Sequence, residues 1–192
     1  MILFPRRGRV MFGFGREKRE ATEVAAAAAR MAIMPFWIPW DQAFDERIWK
    51  DAYVLGLIGG SISVQTHPIT GRKLSTTDKG FVVLNAMRSL GAPQEASDLG
   101  LALAQSHDPD YARGYDDGVV TFLLMANAVK PEAYNEPEIV AAKEFVPAMR
   151  RLNAEAALAG VGGPQDPNQE LAVAYIYLKV QTHKKAHYPK LD

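Results

Sequence analysis

The chain contains no cysteine, which removes disulfides, thiolate nucleophiles, thiolate-held zinc and cysteine-bound iron–sulfur clusters together. It has no Glu-x-x-His pair, so the carboxylate di-iron site that many helical bundles carry is excluded. A G-x-S-x-G elbow is also missing. No Gly-Lys-Ser/Thr follows the stretch GLIGGS at Gly56 to Ser61, and the G-F-G at Gly13 to Gly15 precedes a charged segment where a dinucleotide fingerprint would follow a strand. Long apolar runs are scarce: Ala52–Val64 and Val119–Val129 both fall short of the roughly 20 residues a membrane helix needs. Net charge is zero, which gives no electrostatic case for nucleic acid.

The N-terminal stretch carries no unbroken apolar segment ahead of a cleavage site. Together with the missing cysteines, this predicts a cytoplasmic protein, of bacterial type. Met11 opens FGFGREKRE and offers an alternative start to Met1.

What is present reads as helix. Ordinary globular proportions of apolar and charged residues in 192 positions predict one domain with a sizeable core. We expect residues 1–15 to form a flexible basic extension and residues 16–192 a single all-α domain, an irregular bundle of six or seven helices around a buried central helix. The alanine run before Pro35 supports the first helix. Asp41 is the expected cap of a second, with Phe44, Ile48, Ala52 and Leu55 on one face. Gly56 and Gly60 suggest a tight helix crossing or a helix end. Thr76 or Thr77 and Pro93 open further helices, and Gly91 closes one.

The central helix is predicted over residues 109–130, with Tyr115, Val119, Phe122, Ala126 and Val129 as its inward stripe. Pro147 should kink or split the next helix near Lys143. After the linker-like GVGGPQDPN, Asp166 and Pro167 start the last helix, although residues 170–181 alternate in a way that also suits a strand.

Three clusters carry candidate chemistry. HDPDYARGYDD, with His107, Asp108, Asp116 and Asp117, offers a ligand or cation site at the start of the central helix, although capping alone accounts for acids there. His183 and His187, four apart, make a weak metal grip that lacks further ligands and holds two lysines between them. MPFWIPW packs Phe36, Trp37 and Trp40 beside two prolines and reads as a core plug or as an exposed interface.

The charges are uneven as well. Six basic residues from Arg6 to Arg19 and the lysines from Lys179 onward flank an acidic stretch between Ala92 and Glu138. The basic ends are expected to meet the acidic middle within the chain or across a homodimer.

These observations predict a non-catalytic helical interaction or scaffolding protein that needs no cofactor, with itself as partner in a homodimer and no nucleic acid. The alternatives are a helical enzyme or apolar-ligand-binding protein with its site near His107 and Asp116, and a membrane-surface protein using the basic N-terminus and the aromatic segment 34–40.

Overall fold

In the computed structural model, residues 10–38, 43–67, 70–71, 74–158 and 166–188 are described, the side chains of 10–14 and 152–158 excepted. The fold is all-α. Among the described residues it has seven α-helices and one two-residue β-ladder: α1 (Val10–Ile33), β1 (Trp37–Ile38), β2 (Ala43–Phe44), α2 (Ala52–Gln65), α3 (Thr76–Ser89), α4 (Gln94–Ser106), α5 (Pro109–Met125), α6 (Pro137–Leu158) and α7 (Pro167–His187). No helix among these residues is long and apolar enough to cross a membrane.

Most starts and stops follow local chemistry. Asp108 and Asp166 cap α5 and α7 ahead of a proline at the first turn. Ser75, one residue before the threonines expected to cap, forms a reciprocal capping box with Asp78 and opens α3. Gly91 takes φ 83° where α3 ends. The ambiguous segment 170–181 is helical, and Pro147 is carried inside a single continuous α6.

Three expectations are corrected. Residues 10–15, expected to belong to a flexible extension, are helical in α1, while residues 1–9 of that extension lie outside the described residues. The helix predicted from Asp41 does not run as one piece through Phe44 and Ile48. Instead, Trp37 pairs with Phe44 in the ladder, Asp45 caps a 3₁₀ turn at Glu46–Lys50, and Asp51 then caps α2. Two aspartates six residues apart each bind backbone N–H groups and divide the segment; Asp41 itself lies outside the described residues.

The third correction concerns the centre of the fold. The helix buried on nearly every side is α2, where Tyr53 to Ile58, Gly60 to Ile62, Val64 and Gln65 are buried. On α5 the buried residues are Gly114, Asp117, Gly118, Thr121 and Leu124, while Tyr115, Val119 and Phe122 are half-buried and the helix stops at Met125.

The cause is a glycine crossing. A Cβ on Gly56 would strike the Tyr111 carbonyl oxygen, and one on Gly114 would strike that of Tyr53; Gly60 faces the Tyr115 carbonyl and Gly118 that of Leu57. The contacts advance together along both helices, so α2 and α5 run parallel. They are also reciprocal: Tyr53, Gly56 and Gly60 are spaced as Tyr111, Gly114 and Gly118 are. Only glycine lets two backbones approach this closely.

The remaining helices divide the apolar core in two. One part packs α1, α2, α3 and the end of α7, and the other packs Leu124 of α5 against α6 and the start of α7.

Candidate functional site

The seam between the two cores holds a pocket of about 420 Å³ walled by α2, α5, α6 and α7. Its floor is Asp117, only 5% exposed. Tyr53 of α2 donates to its Oδ2 at 2.9 Å, and Tyr175 of α7 donates to its Oδ1 at 2.8 Å. Lys179, one turn beyond Tyr175, sets its Nζ 3.4 Å from Asp117 Oδ1 and 2.5 Å from Glu138 Oε1 on α6. Burial, then the charge of Asp117, pushes both tyrosine hydroxyls well above the usual tyrosine range. They therefore act as neutral donors across the ordinary pH range.

A second, partly buried carboxylate stands at the start of α2. Asp51 caps α2 through Val54 N–H, and its Oδ2 also lies 2.8 Å from His183 Nε2 and accepts from Tyr188 at 2.8 Å. Burial alone would raise the Asp51 carboxyl, but the bonds from His183, Val54 and Tyr188 outweigh it and hold the group below the usual carboxylate range. The rings of Tyr53, His183 and His187 stack in sequence with centroids 4.3 Å apart at each step, and the Arg113 guanidinium lies over the Tyr53 ring at 5.2 Å. All four side chains line the pocket, with Ala141, Leu178 and Ala186 among its apolar lining.

The structure redistributes the residues singled out from the sequence. His107 ends α4 in the left-handed region at φ 56° and is exposed. Asp108 is occupied by capping, accepting from the N–H groups of Asp110 and Tyr111. Asp116 points to solvent, whereas Asp117, about 100 degrees further round the helix, points inward. The four residues therefore form no single site.

Asp117 instead shares the pocket with His183 and His187, which the sequence offered as a separate cluster. Those two imidazoles lie face to face at 23°, with His183 Nε2 engaged by Asp51. Stacked rings direct their nitrogens sideways in roughly parallel planes and do not converge on one ion. Among the described residues no group of three or more histidine, aspartate and glutamate side chains is arranged to hold a metal.

The aromatic segment divides too. Phe36 is fully buried against Tyr188, with ring centroids 5.0 Å apart. It has no surface left for a partner or a membrane, because it fills the core between α1 and α7. Trp37 is half-buried on the edge of Phe44, and Trp40 lies outside the described residues. Trp37 also lines a broader cleft of about 1150 Å³ with Phe44, Trp49, Arg30, Arg47 and Leu99. That cleft is larger, but the ionisable groups lining it are exposed, whereas buried Asp117 lines the smaller pocket together with Tyr53, Tyr175 and Lys179.

Sequence reasoning missed Asp51, Tyr53, Arg113, Glu138, Tyr175 and Lys179. One signal was available: Tyr175, Lys179 and His183 recur every four residues on α7, a polar stripe on one helical face. No family model matches the chain, and no curated protein or solved structure matches it either.

Proposed function

We propose that this chain is a non-catalytic helical binding protein of the cytoplasm that receives a small ligand in the pocket between α2, α5, α6 and α7. The observation that supports the reading is the commitment of Asp117: its two oxygens take two tyrosine hydroxyls and face a lysine. A general base needs a free acceptor within reach of the proton it takes, whereas a fully bonded buried network rigidifies the wall of a binding site. The volume falls in the range of small-molecule pockets, roughly 300 to 1,000 Å³. The test is an NMR screen of small polar compounds against the protein and against Ala141→Trp, which fills the pocket from the exposed face of α6. Hits that shift pocket amides and vanish in the variant support the reading. A screen without such hits reduces the network to a clasp between helices.

A second reading, self-association as a homodimer, is favoured by the apolar side chains left outside: Phe81 at 51% and Leu84 at 39% exposure on α3, with Leu101 at 61% on α4. Part of the basic charge is met within one chain: Lys179 meets Asp117 and Glu138, and Lys18 meets Asp78. Light scattering over a dilution series tests this reading: the expected dimer persists at high salt, and a monomer at every concentration removes it.

A further inference from the structure

Resting on the ligand-site reading above, we infer that the pocket takes a small organic anion, a carboxylate or phosphate ester, whose charged head sits between Lys179 and Arg113 in the place now held by the Glu138 carboxylate.

Lys179 carries three N–H donors. Asp117 cannot satisfy it alone, because that carboxylate already accepts from Tyr53 and Tyr175 and lies 3.4 Å away. The closer partner is Glu138, whose side chain is 58% exposed while that of Lys179 is 22% exposed. The arrangement is therefore a fixed, partly buried cation met by a carboxylate that water already reaches. Surface ion pairs of this kind hold weakly, so an incoming anion replaces Glu138 at little cost.

A second cation, Arg113, lines the same pocket from α5 with its side chain 56% exposed. Its guanidinium is kept at the pocket by the Tyr53 ring and pairs with Asp110, which is 61% exposed. Two cations, each held by an exchangeable surface carboxylate, thus face one cavity, and a planar bidentate donor suits carboxylate or phosphate oxygens. The body of the ligand would lie along Ala141, Leu178 and Ala186, which supply apolar wall. A cationic ligand is disfavoured by the same geometry, since both pocket carboxylates are engaged by Lys179 and the newcomer would sit beside Arg113.

The test titrates inorganic phosphate, phenyl phosphate and neutral benzyl alcohol into the full chain, followed by amide shifts in NMR. Expected is saturable binding of phenyl phosphate with shifts on α5 and α7, stronger than for inorganic phosphate. Glu138→Gln, which removes the internal competitor, should tighten it by up to about fivefold. Arg113→Gln should weaken it by about tenfold. Both positions are exposed, and thermal melts check that the variants fold. Affinity unchanged in Glu138→Gln, or unchanged in Arg113→Gln, overturns the assigned seat. Benzyl alcohol shifting the same amides while neither phosphate does overturns the anion class but leaves a ligand pocket standing. No response to any probe, together with an empty compound screen, overturns both readings.

Discussion

Two of the contacts made by the buried helices are built on opposite principles. Where α2 meets α5, side chains are removed: glycines on both helices bring carbonyl oxygens against the facing backbone. Where α7 meets the same two helices, polar side chains are brought inside and paired, Tyr175 and Lys179 with Asp117, His183 and Tyr188 with Asp51. The first contact depends on shape and tolerates no added atom. The second depends on partners, because an uncompensated buried polar group is costly while a satisfied pair adds modestly. The pocket lies where the two meet, with Tyr53 and Asp117 belonging to both contacts.

The comparison breaks most severely at the crossing. Gly114→Ala drives a methyl into the Tyr53 carbonyl oxygen and should cost about 3 kcal/mol or more, at the upper end of overpacking effects. A chemical melt showing less than about 1 kcal/mol lost would mean that the helices can slide apart without penalty. Next is the polar contact. Asp117→Ala strands two tyrosine hydroxyls, while Lys179 keeps Glu138, and should cost about 2 to 3 kcal/mol. Substituting Tyr175 with phenylalanine as well should then cost little more, since the two changes remove one shared interaction.

A smaller effect is the pH dependence that Asp51 carries. Asp51 is held below its ordinary value in the folded protein, so its contribution is present above the unfolded aspartate pKa of about 3.9 and is lost as pH falls through the lower folded value. Stability measured from pH 6 down to 2 should therefore drop less steeply in Asp51→Asn than in the wild type; identical slopes would remove Asp51 from the acid response. The smallest effect has the opposite sign. Gly80 on α3 has nothing within reach of an added Cβ, so Gly80→Ala should stabilise by about 0.5 to 1 kcal/mol. A loss there would show that glycine is disfavoured to replacement throughout the chain, and the crossing would no longer be special.

How much of this was legible in the sequence follows from the same contrast. Local signals were readable: the caps at Asp108 and Asp166, the stop at Gly91 and the all-α class, and for Gly56 and Gly60 a tight crossing was one of two readings left open beside a helix end. The inward face of α5 was not. Apolar periodicity selects Val119 and Phe122, but a glycine is buried by the closeness of a backbone it cannot advertise, so Gly114 and Gly118 took the inner side. The polar stripe of α7 was hidden for another reason. Tyr175, Lys179 and His183 look like a solvated face until aspartates distant in sequence are brought to them. Asp117 was singled out for its neighbours in the chain, yet none of His107, Asp108 and Asp116 joins it at the pocket.

The parallel direction of α2 and α5 also bears on how the chain reaches this fold. Antiparallel neighbours can zip from a short turn, but parallel ones need a return path, and α3 and α4 supply it. The glycine contact therefore closes a loop containing two whole helices, an event whose entropic cost must be met before any close approach is gained. Local helices form early and cheaply by comparison. The encounter of Gly56 and Gly60 with Gly114 and Gly118 is then the step that converts separate helices into one body, and the rate of folding should follow substitutions at the crossing more closely than substitutions within α3 or α4.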